Sequence, residues 1–355
     1  MKINDKKILK FLLYGLIIFL IGGFGSLIVQ KYMAPYLSGK PVFKNFGFLR
    51  PDSPIVITKS ELVRVNENVR LNDLIKQLSP KMVLILSGRG SLSTNFSPIL
   101  SASGVIVSAD GIIAIDKSIF ADKNLNHVAV TSEGDILPLT TLARDPKSDL
   151  ILVKAERNNL SAVDFGLAKE VAAGQQVVVM RGSQTRDANA RVSYVASPQE
   201  ANFSKVYSSE EFKTPYILDA GADRGSGVFN LKGELVGMGT KEEILGAEAL
   251  RSGIDSYFKN ERIVRPFLGI DYGIFDKTAS ILAKLEGKEG VVVKKTKRAQ
   301  LQEGDIIFKI NGESLNNGLT LEALLNRGKP GDKWALSIVR KGQEQAVEIV
   351  LGEMK

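Results

Sequence analysis

From Met82 to about Ile244 the chain repeats one pattern: a short apolar run, then a turn rich in glycine. The runs are MVLILSG, GVIVSADGIIAI, HVAVTSEGDILPL, DLILVKA, QQVVVMRG, RVSYVAS, YILDAG and GVFNLKGELVGM. Each has the length and β-branched content of a strand. Glycine in Ser108-Ala109-Asp110-Gly111, Ser132-Glu133-Gly134-Asp135 and Asn230-Leu231-Lys232-Gly233 predicts tight hairpins. Strands at this spacing, without regular helices between them, predict a barrel or sandwich. A helix is predicted to close the region near Ala247 to Lys259.

Composition removes several function classes. The chain has 355 residues, no cysteine and one histidine, His127. Thiol chemistry, disulfides and Cys-ligated zinc are therefore excluded, and one histidine cannot build a multi-histidine metal site. No phosphate loop or dinucleotide fingerprint occurs. The sequence thus predicts no cofactor and no metal. A net charge of +8 is mild for this length and forms no dense basic block, so no nucleic-acid partner is expected.

The N-terminus is a separate signal. MKINDKKILK carries four lysines, and the 19 residues Phe11 to Val29 carry no charge. As a helix those residues would be roughly 28 Å long, about the hydrocarbon thickness of a bilayer. An uncleaved anchor is expected, with a cleaved signal peptide as the rival; Gly22 to Ser26 makes a poor cleavage site. Lysine density places residues 1–10 in the cytoplasm and the main domains outside. The expected organisation is a cytoplasmic N-terminus over 1–10, a transmembrane anchor over 11–29 and a linker over 30–70 containing Pro35, Pro41, Pro51 and Pro54. A short helix is predicted from about Leu71 to Leu78, stopped by Ser79-Pro80.

Three stretches, SASGVIVSADGIIAI, AVTSEGDILPLTTLARDPKSDLILVKAE and GVFNLKGELVGM, resemble in order the trypsin-like double β-barrel of the HtrA/Deg serine proteases. LARDPKSDLILVK is the most diagnostic, because in that family the last Asp of Asp-Pro-x-x-Asp belongs to the catalytic triad. The final segment resembles a PDZ domain through RPFLGIDYG, GDIIFKING and a closing helix with two strands. The resemblance implies a mostly β protein: a trypsin-like double β-barrel over 71–260, then an α+β PDZ domain over 261–355, behind one transmembrane helix.

The triad positions depart from the family pattern. Ungapped matching puts Ser118 at the histidine position, Asp149 at the aspartate position and Arg224 at the serine position. A hydroxyl cannot act as a general base at neutral pH, and the triad works as a unit. Ser226, in a Gly-Ser-Gly context, is the alternative nucleophile if a two-residue gap is allowed. His127 would need a nine-residue register shift to serve as its base, and is expected to be an ordinary strand-end histidine. Asp149 is expected to act structurally by accepting backbone N–H bonds. Arg224 is expected to crowd the oxyanion hole with a cation. A Ser118–Lys117 dyad is disfavoured because strand neighbours face opposite sides.

For the PDZ segment, the resemblance implies that Phe267, Leu268, Gly269 and Ile270 form the carboxylate end of a groove. Asp271 and Tyr272 continue the strand that would pair with a peptide, and a helix from about Leu319 to Asn326 would form the other wall. The loop between Lys295 and Glu303 is shorter than the family's. The expected function is a membrane-anchored extracytoplasmic pseudoprotease that binds proteins or peptides with free C-termini. The alternatives are an active serine endopeptidase using Ser226 and a purely structural assembly protein. A homo-oligomer is compatible with the resemblance.

Overall fold

A computed structural model describes residues 5–28, 60–90, 95–183, 189–198, 205–212, 215–241, 243–285, 287–316 and 319–354. The chain divides into compact units at residues 1–66 and 67–355. In the first unit, α1 runs over Asp5–Ile28, and its apolar side chains from Leu13 to Ile21 are exposed. Counting the described side chains alone, no helix is long and apolar enough to cross a membrane. The prolines of the expected tether lie outside the described residues. A second helix, α2, spans Ser60–Leu78. It ends where Ser79-Pro80 predicts, but it begins well before Leu71, so the expected linker is too long at its C-terminal end.

Six strands close a barrel in the order β1-β2-β3-β6-β5-β4. They are β1 (Met82–Arg89), β2 (Ser97–Ile106), β3 (Ile112–Asp116), β4 (Asn126–Thr131), β5 (Ile136–Arg144) and β6 (Leu150–Ala155). A second sheet follows, with β7 (Asp164–Phe165), β8 (Gln176–Arg181), β9 (Asn189–Pro198), β11 (Tyr216–Leu218), β12 (Gly227–Phe229), β13 (Glu234–Gly239) and β14 (Ile244–Gly246). Its order is β11-β9-β8-β12-β13-β14, with β7 parallel to β13. The short strand β10 (Tyr207–Ser208) leaves this sheet for another. All three predicted hairpins form, joining β2 to β3, β4 to β5 and β12 to β13.

The continuous apolar runs have a simple cause. In β3, Ile113 and Ile115 fill the first barrel while Ile112 and Ala114 pack in a separate core cluster. Ile151 and Val153 of β6 face the barrel in the same way, and Leu150 and Leu152 face the other cluster. In β8, Val178 and Met180 join that shared cluster, and Val177 and Val179 face their own sheet. Period-two alternation with apolar burial on both faces yields an unbroken hydrophobic run. The shared cluster therefore joins the two sheets and takes in Leu78 of α2 and Leu250 of α3 (Ala247–Asn260).

The C-terminal domain contains β15 (Pro266–Phe267), β16 (Ile270–Phe275), α4 (Lys277–Leu282), β17 (Gly290–Thr296), β18 (Ile306–Ile310), β19 (Glu313–Ser314), α5 (Leu321–Arg327), β20 (Lys333–Arg340), β21 (Gln343–Val350) and β22 (Gly352–Glu353). Its main sheet runs β10-β16-β17-β18-β20-β21, with β19 on β18. Leu321, Leu324 and Leu325 of α5 pack in the same cluster as Leu268, Ile270 and Tyr272. Thr320 caps α5 by accepting from the Ala323 N–H at 3.2 Å. The helix expected near Leu319 to Asn326 is thus α5.

Candidate functional site

Asp145-Pro146-Lys147-Ser148-Asp149 is the turn between β5 and β6, and its residues divide the work differently from the sequence expectation. Asp145, not Asp149, accepts the backbone bond, from Lys147 N at 2.9 Å, and also takes the Ser148 hydroxyl at 2.9 Å. Asp145 is fully buried and forms an ion pair with Arg265, itself 2% exposed. That guanidinium also donates to Ser252 Oγ at 3.1 Å and Ala249 O at 3.0 Å, and it lies over the Phe212 ring. The Asp149 carboxylate instead pairs with Lys117 Nζ at 3.0 Å, half exposed on both sides. The structural role expected of Asp149 belongs to Asp145.

Ser118 lies in a 3-10 turn over Lys117–Phe120, not on a strand. Asp116 caps that turn, accepting from Ser118 N at 2.8 Å and from the Ser118 hydroxyl. Both members of the excluded Ser118–Lys117 dyad are engaged by separate carboxylates. The expected reason against that dyad, strand alternation, does not apply there, because both residues lie in the turn.

His127 is the second residue of β4, opposite Ser87 of β1. Its Nδ1 is 2.6 Å from Ser87 Oγ, and its ring stacks on Phe120 with centroids 3.8 Å apart. Burial, aided by the nearby Arg144 guanidinium, pulls the imidazole below its ordinary value. The histidine packs behind the turn that holds Ser118 as a strand-end side chain.

Ser226 precedes β12. Its hydroxyl is buried and donates to Asp223 O at 2.6 Å, while its N–H donates to the same carbonyl at 3.0 Å. Gly225 has φ +72, and a Cβ there would lie 1.8 Å from Ser103 O. The Gly-Ser-Gly stretch is therefore a bend pressed against β2, and Ser103 N also donates to Arg224 O at 3.1 Å. The Arg224 side chain is exposed. The Arg224 carbonyl ties this loop to β2.

The other candidate region is better assembled. Gly269 has φ +79, a conformation open to glycine at little cost, and turns the chain between Leu268 and Ile270. Arg298, from the short loop after β17, braces this turn by donating to Leu268 O at 2.6 Å and to Phe267 O. Phe267 lies outside the groove strand: it pairs with Gly352 in a two-stranded sheet, and Lys297 and Arg298 lie over its ring. Leu268, Ile270 and Tyr272 are buried at 2% exposure or less, and Asp271 is half-buried. Burial, with Glu322 nearby, pushes the Tyr272 phenol up and keeps it protonated.

Three residues absent from the sequence reading complete the region. Gly269 N donates to Glu210 Oε1 at 2.8 Å, and Ile270 N donates to Ser209 Oγ at 3.1 Å. Lys147 Nζ donates to Ser209 O at 3.0 Å and lies over the Phe212 ring. Burial pushes the Lys147 ammonium below its ordinary value, an effect that Glu322 opposes. Only the type of residue in Lys-Ser-Asp and Ser-Ser-Glu was visible in sequence. Their meeting across 62 residues was not.

This architecture, two packed β-sheet bodies followed by a domain with a glycine-centred turn and a groove helix, defines a trypsin-fold protein with a PDZ domain. The comparisons agree. A trypsin-like peptidase domain matches residues 102–238 and a PDZ domain matches residues 267–351. Among curated proteins, the chain is 26% identical over 271 residues to a probable periplasmic serine endoprotease DegP-like of Ectopseudomonas mendocina, covering 71% of this chain and 56% of that protein. A protein of the same name from Bartonella henselae is 23% identical over 282 residues, covering 74% and 55%. The chain spans a little over half the length of these relatives. Among solved structures, the HtrA-type protease AlgW with a decapeptide is similar at TM-score 0.56 and 16% identity, over 80% of this chain and 98% of that one. The chain is HtrA/Deg-like in fold and domain order.

Proposed function

We propose that this chain is a membrane-anchored, extracytoplasmic HtrA-like protein that binds peptides or protein C-termini through its PDZ groove and does not hydrolyse them. One observation carries the binding half: an extended segment already lies along β16 with a carboxylate oxygen 2.8 Å from Gly269 N. That is the chemistry a peptide C-terminus needs, an added strand ending in a charge-assisted hydrogen bond. For the other half, the buried Ser226 hydroxyl is committed to Asp223 O, and His127 is committed to Ser87. The names of the curated relatives favour a second reading, serine-type hydrolysis using Ser226. The bonding around Ser226 supports the first.

The 19 uncharged residues from Phe11 to Val29 and the exposed apolar side chains of α1 support anchoring. The periplasmic naming of the relatives supports an extracytoplasmic location for the main domains. The full chain is expected in the membrane fraction after lysis, and a chain beginning at Pro54 in the soluble fraction; full-length protein in the soluble fraction contradicts the anchor. For binding, a peptide library with free C-termini is expected to bind the full chain more tightly than its amidated counterpart. Removing the charged acceptor costs about 1.5–3 kcal/mol. Equal binding of both libraries contradicts a carboxylate site.

A further inference from the structure

The edge of β16 that a peptide would use is occupied by this chain's own β10. Tyr207 pairs with Tyr272 and Ser208 with Asp271, antiparallel. The ladder continues beyond β10, because Ser209 N donates to Ile270 O at 2.9 Å. The other edge of β16 is held by β17. Among the described residues, both edges of β16 are therefore already paired over Ile270–Tyr272, the stretch next to the Gly269 turn.

The segment also carries an end group. The Glu210 carboxylate takes the Gly269 N–H and the Ser209 hydroxyl takes the Ile270 N–H, with Ser209 Oγ donating to Glu210 Oε1 at 2.6 Å. Strand pairing alone would dock two domains. It would not require a carboxylate on the turn at Gly269, whose φ is +79. Side chains alternate as a bound strand's must: Tyr207 and Ser209 are buried, and Ser208 between them is half-buried. Tyr207 belongs to the core cluster containing Leu268, Ile270 and Tyr272.

We propose that Tyr207–Glu210 is a built-in ligand of the PDZ groove, and that an outside peptide binds only by displacing it. This deepens the peptide-binding reading above and rests on it. The ligand class follows from the occupant: an extended peptide that ends at the position of Ser209, so that its terminal carboxylate replaces Ser209 Oγ and Glu210 Oε1 on the two N–H groups. It carries an aromatic residue two positions before its end, where Tyr207 sits. A tethered strand competes at an effective concentration in the millimolar range, so it suppresses micromolar ligands strongly. Displacement also removes Ser209 O from Lys147, which belongs to the turn that ends in Asp149.

The test uses the full chain and a fluorescent peptide of sequence Lys-Val-Tyr-Ser-Ser, matching residues 205–209, with a free or amidated C-terminus. Binding is read by anisotropy, and amide hydrogen exchange is followed at Gly269 and Ile270. The double variant Tyr207→Ser, Glu210→Ala is expected to bind the free-acid probe at least tenfold more tightly than the wild type. The two amides are expected to exchange at least tenfold faster in that variant. Glu210→Gln alone, which keeps Tyr207 in the core, is expected to move both readouts in the same direction by a smaller factor. It serves if the double variant fails to fold. Equal affinity in wild type and variant, or unchanged exchange at both amides, overturns the built-in ligand. Faster exchange without probe binding means that the arm is released but the groove takes no peptide. That outcome overturns the competition by removing the binding reading on which it rests.

Discussion

The triad-equivalent region and the turn at Gly269 are both marked by family motifs, yet their residues are used in opposite ways. Ser118 bonds Asp116, Asp149 pairs with Lys117, and the alternative nucleophile Ser226 donates to Asp223 O. None bonds to another member of the set. In the groove, Gly269 and Ile270 take their partners from a segment about 60 residues away, and the bonds converge on one turn. Motif residues satisfied close by support a fold. Motif residues satisfied by a distant segment can serve a ligand if that segment is displaced, as proposed above. The Asp-Pro-x-x-Asp turn links the regions, with Asp145 bonded to Arg265 and Lys147 to Ser209.

The strongest way to break this comparison is at that turn. Asp145→Asn leaves Arg265 buried without its counter-charge, and is expected to cost about 3–5 kcal/mol of stability in urea unfolding. Asp149→Asn removes only a half-exposed pair and is expected to cost less than about 1 kcal/mol. If the order were reversed, Asp149 would hold the turn, and the division of labour argued here would be wrong.

Gly269→Val should have the next largest effect. Its φ of +79 strains any β-branched residue, and its Cβ would lie 3.0 Å from the Phe267 ring. A cost of about 1–3 kcal/mol, together with loss of binding to the free-acid peptide, is expected by unfolding and anisotropy. Unimpaired peptide binding would place the carboxylate site elsewhere.

His127 gives the smallest effect. Burial lowers its folded pKa below the unfolded value near 6.5, so the folded state resists taking up the proton. Stability is therefore lost as pH falls through about 6.5 toward the lower folded pKa. In His127→Leu that part of the acid sensitivity should disappear from pH-dependent unfolding curves. An unchanged slope would mean that the ring titrates freely and is not packed against Phe120.

The β architecture was legible because strands buried on both faces write continuous apolar runs, as in Ile112 to Ile115 and Val177 to Met180. The PDZ turn was legible through the resemblance carried by RPFLGIDYG and GDIIFKING, and Gly269 has the positive φ that suits a glycine there. The start of α2 at Ser60 was not: SELVRVNENVR carries no clear apolar period, and the prolines before it suggested a tether. The occupant of the groove was also hidden. Nothing local in Tyr-Ser-Ser-Glu marks it as a strand, and its partners lie in another domain. The exchange of roles between Asp145 and Asp149 was hidden for a related reason, since Arg265, which selects Asp145, is 120 residues away.

Whether the trypsin-like body is silent is decided most directly at Ser226. The full chain is treated with a fluorophosphonate probe and the labelled peptides are read by mass spectrometry, with Ser226→Ala as the control. A hydroxyl buried and donated to Asp223 O, in a chain whose one histidine is bonded to Ser87, is expected to take up no label, and wild type and variant should be indistinguishable. Stoichiometric labelling of Ser226 that vanishes in the variant would contradict the account and make the chain a serine hydrolase.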